Sequence, residues 1–332
     1  MINFVRQQHV DAAAHLYGMR GHLEAIADRY AAQGCDLLFF TSSGGSLAML
    51  QPFCDWVTQD SPLAAASMTA ADYCCLGCGR VTGRSLAMVT SKSGDTKETL
   101  AAVRRLKAQG VRVFAAVGKD GSEMQKLADD AVVYGPGRPQ ELIFYILVGR
   151  MLFDAGRFAD YPLLADQLAW LGEDLADVRV KADPVCKDYA EKYGHEPYGI
   201  WVASGRLWPQ AYSYAMCVLQ ESQWLRTTSV SSAEFFHGTL ELVDRDVCVT
   251  LLAGQGPTRP QDMRVRDFCR RYTDRLTVFD TRDYPLPHID KRFGALLDPV
   301  VMAAVLQRVS RNLEAVTGHP MDLRRYYNTV EY

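Results

Sequence analysis

Short apolar runs alternate with segments of helical periodicity along the first half of the chain. The runs read as buried strands, and the segments between them repeat apolar residues at helical spacing. This alternation predicts a parallel sheet with helices on both of its faces. A helix over 11–33 is predicted to precede the first strand. The predicted strands are 36–40, 63–67, 86–90, 111–117 and 131–134.

The second half of the chain repeats three of these units in the same order. Each repeated unit begins with an apolar run, and in the first two units a glycine-containing loop follows that run. This order predicts duplication of one doubly wound, flavodoxin-like α/β domain. The corresponding segments are 199–205 with 37–57, 246–258 with 86–96, and 275–280 with 111–117.

The duplication predicts three parts in the chain. The N-terminal domain is expected over 1–160, and the C-terminal domain over 197–332. Between them, 161–196 is charged and helical in pattern and is interrupted by Pro184, so we predict a helical connector there.

Composition excludes several classes of protein. The 332 residues carry 36 basic and 39 acidic side chains, and a net charge of -3 gives no support for nucleic-acid or membrane binding. The N-terminus lacks an apolar signal core, and the most apolar run, Leu142 to Phe153, is too short to span a bilayer. We therefore expect a soluble, cytoplasmic protein. The nine cysteines are scattered singly except within Cys74-Cys75-Leu76-Gly77-Cys78, and no second Cys or His pair at zinc-ligand spacing follows nearby, so reduced thiols and no metal are expected.

The stretch 91–99, S-K-S-G-D-T-K-E-T, joins a predicted strand to a predicted helix. Such a loop directs backbone N–H groups and the positive end of the helix dipole at one spot, where Ser91, Ser93 and Thr96 add hydroxyl donors. Gly94 allows a ligand to approach the backbone. These neutral donors suit a phosphate monoester, although helix capping by Asp95 or Thr96 explains the same residue types. The corresponding loop at 254–258 lacks the paired serines, so phosphate is expected only in the first copy.

A second strand-to-helix loop, Ser42-Ser43-Gly44-Gly45-Ser46, follows the first strand. Ligands of doubly wound sheets lie at the carboxyl ends of the strands, where two such loops can meet. Ser46 is therefore either a second phosphate or sugar contact or only a helix cap.

Glu221 and His237 are candidates for proton transfer. Glu221 ends a largely apolar helix, and His237 lies between aromatic residues and Gly238. A carboxylate and an imidazole can move protons on a sugar near neutral pH. The alternatives are a solvated helix-terminal glutamate and a core histidine without a catalytic role.

The pattern S-x-S-G-x-T-x-E-T at 91–99 resembles the phosphate loop of the sugar isomerase (SIS) domain family. The resemblance implies that Ser91, Lys92 through its backbone, Ser93 and Thr96 surround a sugar phosphate. The family's G-x-G-x-S pattern in the earlier loop is matched at Gly44 and Ser46, whereas Ser42 replaces its first glycine.

The second half resembles the isomerase domain of glucosamine-6-phosphate synthase. That domain has a catalytic Glu 16 positions before the His of an E-x-x-H-G motif, and Glu221 precedes His237 within Glu234-Phe235-Phe236-His237-Gly238 by the same spacing. The resemblance implies Glu221 as the base that moves a proton between C1 and C2, and His237 as the acid-base that opens the sugar ring. Val218 and Tyr326 replace lysines of the synthase, and neither a glutaminase domain nor ammonia transfer is expected.

The whole chain, with its R-R-Y-Y…V-E-Y tail, looks most like the fructosamine-6-phosphate deglycase branch, including the fructoselysine-6-phosphate type. The resemblance implies an enzyme that cleaves a phosphorylated Amadori product to glucose 6-phosphate and an amine or amino acid. It implies no metal or redox cofactor, and a homodimer or higher oligomer in which His237 acts in its own or in the neighbouring subunit's site. The alternatives are an aldose-ketose phosphosugar isomerase and a non-catalytic phosphosugar-binding regulator.

Overall fold

A computed structural model describes residues 1–135, 139–327 and 329–331. The chain divides into two compact units. The first unit is Arg6–Gly172, and the second is Glu173–Tyr332 together with Met1–Val5. Each unit is built on one parallel sheet, as the alternating pattern predicts.

The first unit has a five-stranded sheet in the order β2-β1-β3-β4-β5, with every pair of neighbours parallel. Its strands are β1 Leu37–Ser42, β2 Ala64–Thr69, β3 Leu86–Ser91, β4 Arg112–Val117 and β5 Asp130–Val133. Its helices are α1 Arg6–Tyr17, α2 Arg20–Gln33, α3 Gly44–Asp60, α4 Ala70–Leu76, α5 Lys97–Ala108, α6 Glu123–Leu127, α7 Glu141–Asp154 and α8 Tyr161–Gln167, and a 3₁₀ turn follows at Leu168–Trp170.

Both faces of this sheet are covered because successive strand residues point to opposite sides. Phe39 and Val89 belong to the core on the α4 and α5 side, where the Phe39 ring lies 5.0 Å from that of Tyr73. On the other side, Phe114 of β4 meets Phe144 of α7 with ring centroids 6.1 Å apart. Continuous burial on two faces is the reason that these strands appear in the sequence as unbroken apolar runs.

The predicted helix over 11–33 is wrong in one respect, because the structure has two helices there. α1 ends at Tyr17, and α2 begins at Arg20. Gly18 and Met19 lie between them. Glycine is a weak helix former, which is consistent with a break at this point.

The second unit has a four-stranded parallel sheet in the order β7-β6-β8-β9. Its strands are β6 Gly199–Ala203, β7 Thr227–Ser231, β8 Cys248–Ala253 and β9 Leu276–Asp280. Its α-helices are α9 Leu171–Tyr193, which begins just before the division, α10 Trp208–Ser213, α11 Glu221–Gln223, α12 Arg259–Tyr272 and α13 Gly294–Thr317. A π-helix spans Tyr214–Gln220, and 3₁₀ turns span Gly205–Leu207, Phe235–His237, Thr239–Leu242, Thr281–Asp283 and Lys291–Phe293.

This sheet is also covered on two sides. Ile200 packs in a cluster with Val265 of α12. On the opposite face, the Trp201 ring lies 4.9 Å from Tyr214 and 6.0 Å from Tyr189 of α9. The strand order β7-β6-β8-β9 corresponds to β2-β1-β3-β4 of the first unit, so the second sheet has the order of the first without its fifth strand.

Pro184 does not interrupt the connector, contrary to the expectation from the sequence. It lies inside α9, which continues from Leu171 to Tyr193. Ala182, Cys186 and Ala190 on this helix are fully buried. The packing of these residues stabilises the helix, so it tolerates the loss of the one backbone hydrogen bond that a proline removes.

One helix of the described residues is long and apolar enough to cross a membrane by length and composition, Lys291–Thr317. Of its most apolar window, 72% is buried inside the structure. This is the pattern of a core helix.

Candidate functional site

The loop at the end of β3 forms a cup of hydroxyl groups. The Ser91 hydroxyl is buried, lies 3.1 Å from the Thr96 hydroxyl, and accepts the Gly94 N–H at 3.0 Å. The exposed Ser93 hydroxyl accepts the Asp95 N–H at 3.2 Å. The loop is therefore ordered by its own side chains, as a preorganised anion site requires.

The capping alternative does not account for this loop. Thr96 occupies the N-cap position of α5 but makes no capping hydrogen bond with its side chain. The Asp95 carboxylate instead accepts the Glu123 N–H at 3.1 Å, at the start of α6. Among the described residues, no side chain accepts a hydrogen bond from the first-turn amides of α5. Free amides at a helix N-terminus are suited to binding an anion.

The loop after β1 lies beside the loop after β3. The Ser42 hydroxyl donates to the Thr90 carbonyl at 2.6 Å, and the Ser43 hydroxyl lies 3.2 Å from the Thr99 hydroxyl. Ser46, half-buried in the first turn of α3, donates its N–H to the Ser43 carbonyl at 3.2 Å. The cap position is thus held by Ser43, not by Ser46.

The two loops meet at the topological switch point of the first sheet. The chain passes from β1 to β2 on one side of the sheet and from β3 to β4 on the other, so the β1 and β3 loops leave the sheet in opposite directions. Doubly wound sheets of this strand order bind ligands in the crevice that results. The predicted phosphate residues therefore lie where the fold offers a binding site.

Close backbone packing fixes the position of the β3 loop. Gly94 has φ +72°, and a Cβ added there would lie 2.2 Å from the Ser122 hydroxyl oxygen. A Cβ added to Gly118 would lie 2.5 Å from the Lys92 carbonyl oxygen. The Gly118 N–H also donates to the Ser91 carbonyl at 3.1 Å, whereas the Lys92 side chain is exposed. Glycine is needed at both contacts because a larger residue would displace the loop.

The corresponding loop of the second unit already holds a carboxylate. Asp298 of α13 is buried and accepts the Gln255 N–H at 2.7 Å and the Thr281 hydroxyl at 2.6 Å. A Cβ added to Gly254 would lie 2.8 Å from an Asp298 oxygen. Burial raises the pKa of the Asp298 carboxyl, and the hydrogen bonds from Thr281 and Gln255 oppose that rise. This intramolecular acid supports the prediction that only the first copy binds phosphate.

An ion pair lies beside the same loop of the second unit. Arg259, the first residue of α12, donates to both oxygens of Asp280 at 2.9 and 2.6 Å. Burial alone would raise the pKa of the Asp280 carboxyl, but the hydrogen bonds and charge of Arg259 outweigh it, and the pKa is lowered. The pair links α12 to the end of β9.

Glu221 lies directly after the π-helix, at the start of α11. A π-helix is rare and often marks a functional site, because its wider turn changes the direction of the side chains that follow. The Glu221 side chain is 32% exposed and pairs with Arg324 of the C-terminal tail at 2.9 Å. α11 ends at Gln223, and Trp224 caps it with left-handed backbone geometry, φ +55°.

A cavity of about 580 Å³ opens beside Glu221 within the second unit. Trp224 lines this cavity together with four residues of the C-terminal tail, Arg324, Arg325, Tyr326 and Tyr327. The Arg325 guanidinium lies 4.2 Å from the centre of the Trp224 ring. The cavity thus combines one acid with cationic and aromatic groups, a set that can hold a polar organic substrate.

His237 and Glu221 lie at opposite ends of β7. Gln220, next to Glu221, donates its side-chain amide to the carbonyl of Thr227, the first residue of the strand, at 2.8 Å. His237 is exposed and ends the 3₁₀ turn that follows Ser231, the last residue of the strand. Four residue steps of about 3.3 Å separate the strand ends by about 13 Å. Within the residues the structure describes, no hydrogen bond joins the two side chains.

The remaining candidates from the sequence are placed as follows. The sequence also offers Arg138 and Glu141 as charged residues that could bind the amine or carboxylate of the substrate, with an exposed charge as the alternative for each. Arg138 lies outside the described residues, and Glu141 is buried in the first turn of α7. The cysteines of the described chain are free thiols, with Cys75 exposed. In that part of the chain, no group of three or more His, Cys, Asp or Glu side chains has the arrangement of a metal site.

Comparison with known proteins finds relatives along nearly the whole chain, although no protein-family model matches it. A fructosamine deglycase, FrlB, from Bacillus subtilis is 28% identical over 307 residues, which are 90% of this chain and 93% of the relative. A fructoselysine 6-phosphate deglycase from Escherichia coli K12 is 24% identical over 314 residues, covering 93% and 91%. The chain is similar to these deglycases over nearly its whole length. The resemblance predicted from its motifs is confirmed.

Solved structures agree with the predicted fold class. A candidate phosphosugar isomerase from Bacillus subtilis has a TM-score of 0.90 at 26% identity, covering 93% of this chain and 97% of that structure. The C-terminal domain of glucosamine-fructose-6-phosphate aminotransferase from Francisella tularensis has a TM-score of 0.75 at 15% identity, with 96% of each covered, and shows the fold alone. Two parallel-sheet α/β domains of the sugar isomerase type are therefore confirmed.

Proposed function

We propose that the chain is a deglycase that cleaves a 6-phosphorylated fructosamine to glucose 6-phosphate and a free amine or amino acid. The observation that carries the proposal is the hydroxyl-lined cup at the β1/β3 switch point, in a chain whose relatives over at least 90% of its length include deglycases. The cup accounts for the phosphate, and the relatives favour amine release over simple isomerisation.

The phosphate is held by neutral donors. Ser46, Ser91, Ser93 and Thr96 contribute hydroxyl groups, and Lys92 contributes its backbone. Several hydrogen bonds to a dianion, each strengthened by its charge, can replace the water that the phosphate loses. The dipole of α5 adds to this attraction, because the cup lies at the N-terminus of that helix.

The reaction is a proton transfer followed by hydrolysis. His237 opens the sugar ring, and the Glu221 carboxylate removes one C1 proton while O2 takes up a proton from water, so that the C1–C2 enaminol forms. Glu221 returns its proton to C2, and the nitrogen loses its proton to water, which leaves a C1=N imine. Water adds to C1, the C–N bond breaks, and the aldehyde of glucose 6-phosphate and the amine are released. The overall change is redox-neutral, and the substrate nitrogen serves as the electron relay.

We propose that the working enzyme is a cytoplasmic homodimer in which His237 of one copy completes the site around Glu221 of the other. The supporting observation is the position of the two residues at opposite ends of β7, without a hydrogen bond between them in the described chain. An isologous dimer would form two such sites by symmetry.

Glu221→Gln tests the proposal, because glutamine keeps the shape of the side chain and removes the base. We expect turnover of a 6-phosphorylated fructosamine to fall by about 10²- to 10⁴-fold, the usual contribution of one acid-base group. Glu241→Gln, a change of the same kind at an exposed position, should keep the activity. Full activity in Glu221→Gln would refute the assignment. Melting shifts with phosphosugars but no turnover in the unmodified protein would indicate a binding regulator.

A further inference from the structure

The C-terminal tail holds one oxygen of Glu221. Arg324 donates from Nε at 3.1 Å and from a terminal nitrogen at 2.9 Å, and both contacts go to Oε1. Its other terminal nitrogen donates to the carbonyls of Met321 and Leu323, each at 2.9 Å. The guanidinium is thus fixed on both sides, by the tail turn and by the carboxylate.

Among the residues that the structure describes, none donates a hydrogen bond to the second oxygen of Glu221. In the described part of the chain, every hydrogen bond and ion pair to this carboxylate ends on Oε1. The side chain is 32% exposed and lines the cavity of about 580 Å³. Oε2 is therefore the oxygen that can accept a proton from a substrate.

The turn of the C-terminal tail that carries Arg324 is bound to the fold close to Glu221. Gln223, two residues after Glu221, donates to the His319 carbonyl at 2.9 Å and accepts the Thr317 hydroxyl at 3.2 Å. Glu314 accepts the Met321 N–H at 3.0 Å. Because these bonds tie the tail to α11 and α13, the position of Arg324 relative to Glu221 is determined by the fold.

We propose that Arg324 is a positioning residue for the reaction: it binds Oε1 of Glu221 and so presents Oε2 to the C1 proton of the substrate. This inference rests on the proposed deglycase function and adds a residue of the tail to it. Arg324 acts through Glu221 and does not contact the reacting atoms. Displacement of a catalytic group by about 1 Å costs up to about 10²-fold in rate, which sets the scale of the effect.

Arg324→Ala tests the proposal by kinetics. We expect kcat to fall about 10- to 100-fold with KM within about threefold of the original value, because the base is misplaced while the substrate sites remain. Added guanidinium ions should restore part of kcat, since they can bind Oε1 again. The control is Arg245→Ala, which removes an exposed Arg–Asp pair of the same unit (3.0 Å to Asp274) and should change kcat less than twofold.

A double variant separates positioning from a general structural role. Arg324→Ala in the Glu221→Gln background should lower turnover no further than Glu221→Gln alone, because Arg324 acts only through that carboxylate. Losses that multiply would overturn the proposal, as would an unchanged or increased kcat in Arg324→Ala. If Arg324→Ala does not fold, Arg324→Lys decides, since it keeps the charge with one donor nitrogen and must show a lower kcat at unchanged KM. A wild-type chain without deglycase activity would refute the proposed function instead.

Discussion

Gly94 lies where the proposed phosphate loop, residues 91–99, packs against the loop that leads to α6, so Gly94→Ala tests the structure of the proposed binding cup. Two costs arise. The residue has φ +72°, a conformation that costs a residue with a Cβ about 1–2 kcal/mol. The new Cβ would also lie 2.2 Å from the oxygen and 2.4 Å from the Cβ of Ser122, which is buried. Relief of such overpacking typically costs about 1–3 kcal/mol more.

Gly121→Ala is the matched control, because Gly121 has the same φ of +72° but no heavy atom within 4 Å of an added Cβ. We therefore expect Gly94→Ala to lower the free energy of unfolding by about 2–5 kcal/mol and Gly121→Ala by about 1–2 kcal/mol. Urea unfolding of both variants measures the difference. The third variant, Gly94→Ala with Ser122→Gly, removes both clashing atoms and should recover most of that difference.

The same displacement should weaken phosphate binding. The Gly94 N–H orders the Ser91 hydroxyl, and the Gly94 carbonyl accepts the Met124 N–H at 3.0 Å, so movement of Gly94 disturbs the cup. Loss of one hydrogen bond to a charged phosphate, about 1.5 kcal/mol or more, raises KM about tenfold or more. Gly121→Ala should leave KM within about twofold. Equal stability and equal KM in the two alanine variants would refute the packing argument.

Two further predictions concern the second unit and the assembly. An equimolar mixture of refolded Glu221→Gln and His237→Asn chains should show about a quarter of wild-type activity if each site combines residues of two copies, and none if each site is built from one chain. Arg259→Met should lower the free energy of unfolding by about 2–4 kcal/mol near neutral pH. The Asp280 pKa is lowered on folding, so the stability from this pair is present above the ordinary value of 3.8 and is lost as pH falls further. The gap between wild type and Arg259→Met in urea unfolding should therefore narrow below about pH 4; a gap of constant size would contradict the assignment.

The first sheet could be predicted almost completely from the sequence because its central strands are buried on both faces. Such strands are unbroken apolar runs, and the loops between them carry glycine, serine and threonine at the ends. The strand β7 was not predicted. Its sequence, Thr-Thr-Ser-Val-Ser, is polar and half-buried, because it lies at the edge of the second sheet. Its identity as a strand becomes apparent only from its parallel pairing with β6.

The loop at 91–99 could be predicted from the sequence more fully than the surroundings of Glu221. The proposed phosphate loop is a local feature, so residues 91–99 contain both its hydroxyl donors and its turn. The pairing of Arg324 with Glu221 joins residues 103 positions apart, and no local pattern indicates it. The same holds for Asp298 in α13, which accepts a hydrogen bond from the backbone N–H of Gln255, 43 positions earlier in the chain. Contacts of this kind depend on how elements pack, which the motifs do not specify.

The central claim is that this chain breaks the C–N bond of a phosphorylated Amadori product. The most direct measurement incubates the purified protein with a panel of 6-phosphorylated fructosamines and quantifies glucose 6-phosphate enzymatically and the released amine by mass spectrometry. We predict that both products appear in equal amounts and that Glu221→Gln lowers both rates together by about 10²- to 10⁴-fold. Interconversion of phosphosugars without any released amine would contradict the claim.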